Sequence, residues 1–270
     1  MSALTLPRWL HPTRWENYAL LAMASVAFLV VVALRCSGTA RMPAAAAGAA
    51  SEPQPALPAH ALPERSRAAE PQWLTRHKAI TAKAAANRYD VMLLGDSLTQ
   101  GWEFNDVVWQ SYFPGVRALN AGISSDRIEH VLWRVDHGLF DVARPHVVVL
   151  LVGINNLAMN APGDIAGGVG QVVRAIERHS PATRILLLDL LPAGKDPGTT
   201  KRARIQRVNA GLAALAEPGH VEVLDVGSHL LESDGSLSHA TSFDYLHLTH
   251  DGYDRLAKAI QPKLLKLLGP

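Results

Sequence analysis

Cysteine is nearly missing from this chain. Of 270 residues only Cys36 carries a thiol, so no intrachain disulfide can form. The chain has 12 histidines, yet no Cys/His cluster has the spacing of zinc ligands. Charge imbalance is missing too. The formal net charge is +2, and residues 71–270 hold 20 Lys+Arg against 20 Asp+Glu. So neutral a body lacks the concentrated basic surface that phosphate-backbone binding needs, which sets nucleic acid aside as a partner. Two chemical signatures also fail. A phosphate loop requires Gly-x4-Gly-Lys-Ser/Thr, but Gly95 and Gly101 enclose five residues and Trp102 follows. The Gly-x-Ser-x-Gly nucleophile elbow fails because Thr99 stands where its second glycine belongs.

What is present suffices for a packed core. Hydrophobic residues make up 48% and charged residues 19%, over a length that suits one large domain, or one domain plus an accessory segment. A single long apolar run, YALLAMASVAFLVVVAL at 18–34, carries no charge over 17 residues. A spanning helix needs roughly 17–25 residues and a cleaved signal has an apolar core of about 7–15. Trp9, Trp15 and Tyr18 precede the run, where interfacial aromatics sit. Arginines flank it on both sides (Arg8, Arg14, Arg35, Arg41), so charge does not orient it. Residues 1–36 are expected to be a transmembrane anchor, with a cleaved signal as the alternative. Either way the body is expected to be exported, to a periplasm or the cell exterior. Residues 37–70 include RMPAAAAGAASEPQPALPAHALPE. Repeated proline and scarce large apolar residues predict a flexible linker there.

From residue 71 the pattern changes. Five short apolar runs appear at 89–94, 116–119, 146–152, 184–190 and 221–226. They are mostly continuous rather than alternating, as for strands buried on both faces. Helical spacing lies between them. Ile128, Val131, Leu132, Val135 and Leu139 fall at 3/4 intervals, predicting a helix over 126–139; further helices are predicted over 165–176, 205–215 and 256–268. Strand–helix alternation predicts right-handed crossovers. The fold class is therefore α/β, a three-layer domain over 71–270 with a five-stranded, mainly parallel sheet.

Open α/β sheets bind ligands at the carboxyl ends of their strands. The first run ends in Gly95-Asp96-Ser97, the second in Asn120-Ala121-Gly122, the third in Gly153-Ile154-Asn155-Asn156. An attacking hydroxyl, a glycine amide and an amide side chain thus share one edge, the set that acyl transfer requires. A serine also needs a base and the base an orienting carboxylate. In FDYLHLTHDGY, Asp244 and His247 lie three apart just before the last helix; His250 with Asp251 is a rival pair. Each residue taken alone has a plainer reading. SLTQ fits a capping box with Ser97 at N-cap and Gln100 three later. Gly122 serves a turn, Asn155 satisfies its own loop, Asp244 caps a turn, and His247 is a surface histidine. Together they coincide: three strand ends and the last loop each supply a part the others lack. Trp102, Phe104 and Trp109 read equally as acyl-pocket wall or as core.

These blocks resemble the SGNH/GDSL hydrolase family. GDSLTQGW is similar to its first block, Gly122 in NAGISSD to its second, Asn155 in GINN to its third, and DYLH to its Asp-x-x-His block. The stretches LNAGISSDRIEHVLWRV, VGINN and FDYLHLTHDGY further resemble the branch of intracellular platelet-activating-factor acetylhydrolase catalytic subunits. Asn156 stands where the wider family has aspartate, as in that branch. The N-terminal segment departs from it, so that branch's substrate and partner proteins are not carried over. The resemblance implies a flavodoxin-like sheet, with Ser97, His247 and Asp244 as catalytic triad. It also implies an oxyanion hole made by the Ser97 and Gly122 amides and the Asn155 side chain. The expected activity is a metal-free, cofactor-free serine esterase acting on short-chain acyl esters, acetyl above all, of small molecules, glycans or lipids. The alternatives are an acyltransferase to a carbohydrate acceptor and a non-catalytic binding module on the same fold.

Overall fold

The computed structural model describes residues 67–269; the expected anchor (1–36) and nearly all of the expected linker lie outside the described residues. Among the described residues no helix is long and apolar enough to cross a membrane.

Five parallel strands form one sheet: β1 (Val91–Gly95), β2 (Ala118–Gly122), β3 (Val147–Leu151), β4 (Arg184–Leu188) and β5 (Val221–Leu224), in the order β2-β1-β3-β4-β5. β1 and β3 are buried at every position because helices cover both faces. Alternate residues feed two cores. Met92 and Leu94 join α1 (Pro71–Ala86), α4 (Ile128–Arg134), α6 (Pro162–His179) and α7 (Thr200–Ala213) on one side. Val91 and Leu93 meet α2 (Ser97–Gln100), α3 (Asp106–Tyr112) and α8 (His250–Leu268) on the other. The architecture is the expected three-layer α/β sandwich. The sheet order reverses between β1 and β3, which places the switch point where the GDS segment leaves β1.

Two expected elements need correction. The helix expected over 126–139 is regular only as α4. A widened turn, Val135–Leu139, follows, and Gly138 adopts φ 96°, before a last short turn, α5 (Phe140–Val142). The apolar spacing located the buried side chains correctly, but a left-handed glycine breaks the backbone within it. The second strand starts later than expected and runs to Gly122, paired with Gly95 across the ladder. α1 had no strong periodic signal, since its buried face is Trp73, His77, Ile80 and Ala84. Ahead of α1, Arg67–Ala69 forms a 3-10 turn, and the Arg67 guanidinium donates to the Ser124 carbonyl at 2.7 Å.

Candidate active site

Ser97 lies two residues past Gly95, the end of β1, where the local packing leaves no room for a side chain. A Cβ on Gly95 would lie 2.0 Å from the Leu151 carbonyl oxygen and 2.3 Å from Thr99 Oγ1. The capping box centred on Ser97 does not form. Asp96 is the N-cap of α2, with Oδ1 accepting from the Leu98 amide at 2.9 Å, and Ser97 is the first helical residue. Gln100 turns away, its Oε1 accepting from the Ser124 amide at 2.8 Å. The Ser97 hydroxyl is thereby left to the site.

It lies 3.0 Å from His247 Nε2, and His247 Nδ1 lies 2.7 Å from Asp244 Oδ2. A carboxylate only accepts, so Nδ1 carries the proton and Nε2 accepts from Ser97. Asp244 Oδ1 caps its own turn, accepting from the Leu246 and His247 amides at 3.0 and 2.6 Å. Partial burial pushes the Asp244 carboxyl up, but the His247 ring and these amides outweigh it and hold it below the usual range. The turn passes through Tyr245 at φ 60° and is pinned by Gly194, whose amide donates to the Tyr245 carbonyl at 2.8 Å. His250, the rival base, opens α8 and pairs through Nδ1 with Asn105 Oδ1 at 3.2 Å.

Asn155 sits on a 3-10 turn, Ile154–Asn156, and its Nδ2 donates to the Asp126 carbonyl at 2.8 Å, which leaves a second amide hydrogen. Its neighbour Asn156 is structural: buried, it caps α4 by accepting from the Ile128 amide at 3.0 Å and donates to Glu129 at 3.1 Å. Gly122 differs from expectation. Its amide is already used, donating to Asn120 Oδ1 at 2.9 Å. Its glycine character serves packing, since a Cβ would meet the Gln100 amide nitrogen at 2.2 Å. In the loop beyond it, Ser125 takes φ 63° and its amide has no partner among the described residues.

Two features had no reading in the sequence. Phe243, 46% exposed, stacks on the His247 ring with centroids 5.9 Å apart. Asp96 is wholly buried, and desolvation pushes its carboxyl up to about 7. Of the three aromatic candidates, Trp102 and Trp109 belong to the core, edge-to-face at 5.6 Å, with Tyr253 4.8 Å from Trp102. Phe104 is exposed. Among the described residues no group of three or more His, Cys, Asp or Glu side chains is placed to hold a metal.

A three-layer parallel sheet with this serine-bearing turn at its switch point defines the protein as a hydrolase of the α/β class. It belongs to the GDSL-like lipase/acylhydrolase family, whose model matches residues 93–255. Relatives include platelet-activating factor acetylhydrolase IB subunit alpha1 of Pongo abelii, 36% identical over 198 residues, covering 73% of this chain and 84% of that protein. Subunit alpha2 of Gallus gallus is 32% identical over 197 residues, covering 73% and 85%. Solved structures share the fold. A GDSL-like lipase from Bacteroides thetaiotaomicron aligns with a TM-score of 0.59 at 20% identity, covering 70% of this chain and 97% of that one. A catalytic mutant of an acetylxylan esterase from Geobacillus stearothermophilus aligns with a TM-score of 0.54 at 15% identity, covering 64% and 93%.

Proposed function

We propose that the protein is a serine esterase that hydrolyses short-chain acyl esters, acetyl esters first among them, through an acyl-enzyme. The observation that carries the reading is the unbroken hydrogen-bond chain from Ser97 through His247 to Asp244. His247 takes the hydroxyl proton as Ser97 attacks the ester carbonyl, and Asp244 holds the ring and steadies its charge. His247 then passes the proton to the leaving alcohol, and a water, activated the same way, cleaves the acyl-enzyme. The negative oxygen of each tetrahedral intermediate is met by the Ser97 amide and the free hydrogen of Asn155 Nδ2. With the Gly122 amide engaged by Asn120, we assign the third donor to the Ser125 amide. One such donor is worth about 2.7–4 kcal/mol of transition-state stabilisation. The acetyl preference is supported by relatives named acetylhydrolase and by a structural neighbour named acetylxylan esterase. For the cellular setting we propose an exported domain tethered by the apolar segment at 18–34. Fractionation of cells expressing the full chain tests this: recovery in the soluble cytoplasmic fraction would refute it.

The test of the activity is turnover of p-nitrophenyl esters of increasing acyl length by wild type and Ser97→Ala. The expected result is a preference for acetate and loss of nearly all turnover in the variant. Wild-type activity in Ser97→Ala would exclude Ser97 as nucleophile. A preference for long chains would replace the acetyl assignment with that of a lipase.

A further inference from the structure

We infer that the buried Asp126–Arg134 ion pair is a positioning device for the oxyanion hole, aligning the strand ends and the loop from which its donors project. The inference rests on the esterase reading above.

Arg134 is completely buried, and its guanidinium reaches two backbone carbonyls and pairs with one carboxylate. It donates to the Ala121 carbonyl at 2.6 Å and to the Gly95 carbonyl at 3.2 Å, and Nη2 lies 2.9 Å from Asp126 Oδ2. Gly95 is the last residue of β1 and Ala121 the last but one of β2. Gly95 belongs to the peptide that leads into Asp96 and the nucleophile. The loop that carries Ser125 leaves β2 one residue after Ala121. A planar guanidinium spans both strand ends at once, which the single ammonium of a lysine cannot do.

Asp126 supplies the other half. Its backbone carbonyl holds Asn155 Nδ2 and thereby aims that amide. Its carboxylate accepts from Trp73 Nε1 at 2.7 Å and lies 3.4 Å from the Arg67 guanidinium, which also binds the Ser124 carbonyl. Ser125 therefore lies between two residues that are both fixed. Stability alone is a weak reason for such a pair, because replacing a buried ion pair with apolar side chains is often neutral or stabilising. The contacts of this one converge on the site: two strand ends, one loop and one amide.

The experiment assays the full chain, Ser97→Ala, Arg134→Lys and Arg67→Ala on p-nitrophenyl acetate. Turnover is normalised to active sites titrated with a fluorophosphonate, and folding is followed by circular dichroism. A misplaced reacting group loses up to about 10²-fold in rate, so Arg134→Lys is expected to lose about 10- to 100-fold in kcat per titrated site. KM should stay close to wild type, and so should the pH midpoint of turnover. Arg67→Ala should lose less, in the same direction. A purely structural pair would lower the titrated fraction and leave kcat per site unchanged, which overturns the inference. If Arg134→Lys does not fold, Arg67→Ala, a partly exposed change, decides on the same readout. Turnover that survives Ser97→Ala would instead refute the esterase reading, a result that the other two variants cannot produce.

Discussion

The Tyr253 hydroxyl donates to the Leu98 carbonyl at 2.7 Å across 155 residues of chain. The bond ties the helix that begins with Ser97 to the helix that follows His247, so the two side chains keep a fixed separation. It also explains the second glycine of GDSLTQGW: a Cβ on Gly101 would lie 1.9 Å from the Tyr253 oxygen. Tyr253→Phe is expected to cost about 1 kcal/mol, the typical net worth of a hydrogen bond. Gly101→Ala should cost more, because it forces the two helices apart. Thermal unfolding of both variants checks the order, and an unchanged midpoint in Tyr253→Phe would assign the tyrosine's value to its ring alone.

Asp244→Asn tests whether Asp244 orients the His247 ring for catalysis. Asparagine keeps the shape but can donate where the His247 ring also donates. In serine hydrolases, losing this carboxylate lowers kcat about 10⁴-fold through the wrong imidazole tautomer. The same drop is expected here, with little change in the unfolding midpoint, since Asp244 and His247 are both partly exposed. A variant that retains more than about a tenth of wild-type kcat would remove Asp244 from that role.

Much of this site was legible because each of its parts carries a local signature. Glycines end the strands, Asn155 follows the third, and Asp-x-x-His precedes the last helix. Continuous apolar runs gave the parallel sheet for the same reason, since strands buried on both faces need no alternation. What was hidden depends on contacts distant in sequence. The Gly122 amide donates to Asn120, whose side chain is in turn held by the Thr99 and Gln100 carbonyls of α2. Asp126 and Arg134 fall off the apolar spacing of the expected 126–139 helix, yet both are fully buried. α1 escaped because histidine and alanine occupy half of its buried face.

The buried Asp96 should make stability depend on pH. Its carboxyl titrates near 7 in the folded protein against 3.8 when free. A raised carboxyl contributes stability that is complete below about pH 4 and fades as pH rises through 7, where the folded state must ionise it. Asp96→Asn carries no such charge and can still cap Leu98 through its side-chain oxygen. Relative to wild type, the variant should gain stability between about pH 5 and about pH 8, on the order of a few kcal/mol. Denaturant unfolding of both proteins at the two pH values measures the gain. Parallel behaviour would mean that Asp96 is already ionised at the lower pH.

Ser125 offers the sharpest test of which amide meets the oxyanion. A non-glycine residue at φ 63° pays a left-handed penalty of roughly 1–2 kcal/mol. Ser125→Gly removes that penalty while widening the unfolded ensemble, so a net gain of about 0.5–1 kcal/mol is expected. The amide is retained, so kcat should not fall. Gly122→Ala should unfold the site instead, because its Cβ would lie 2.2 Å from the Gln100 nitrogen. The amide itself is tested by replacing single peptide N–H groups with ester oxygens. Removing the Ser125 N–H should lower kcat about 10²- to 10³-fold, the usual effect of one lost donor. Removing the Gly122 N–H should disturb only its bond to Asn120 and leave kcat near wild type. The reverse pattern would return the third donor to Gly122 and require Asn120 to swing away during turnover.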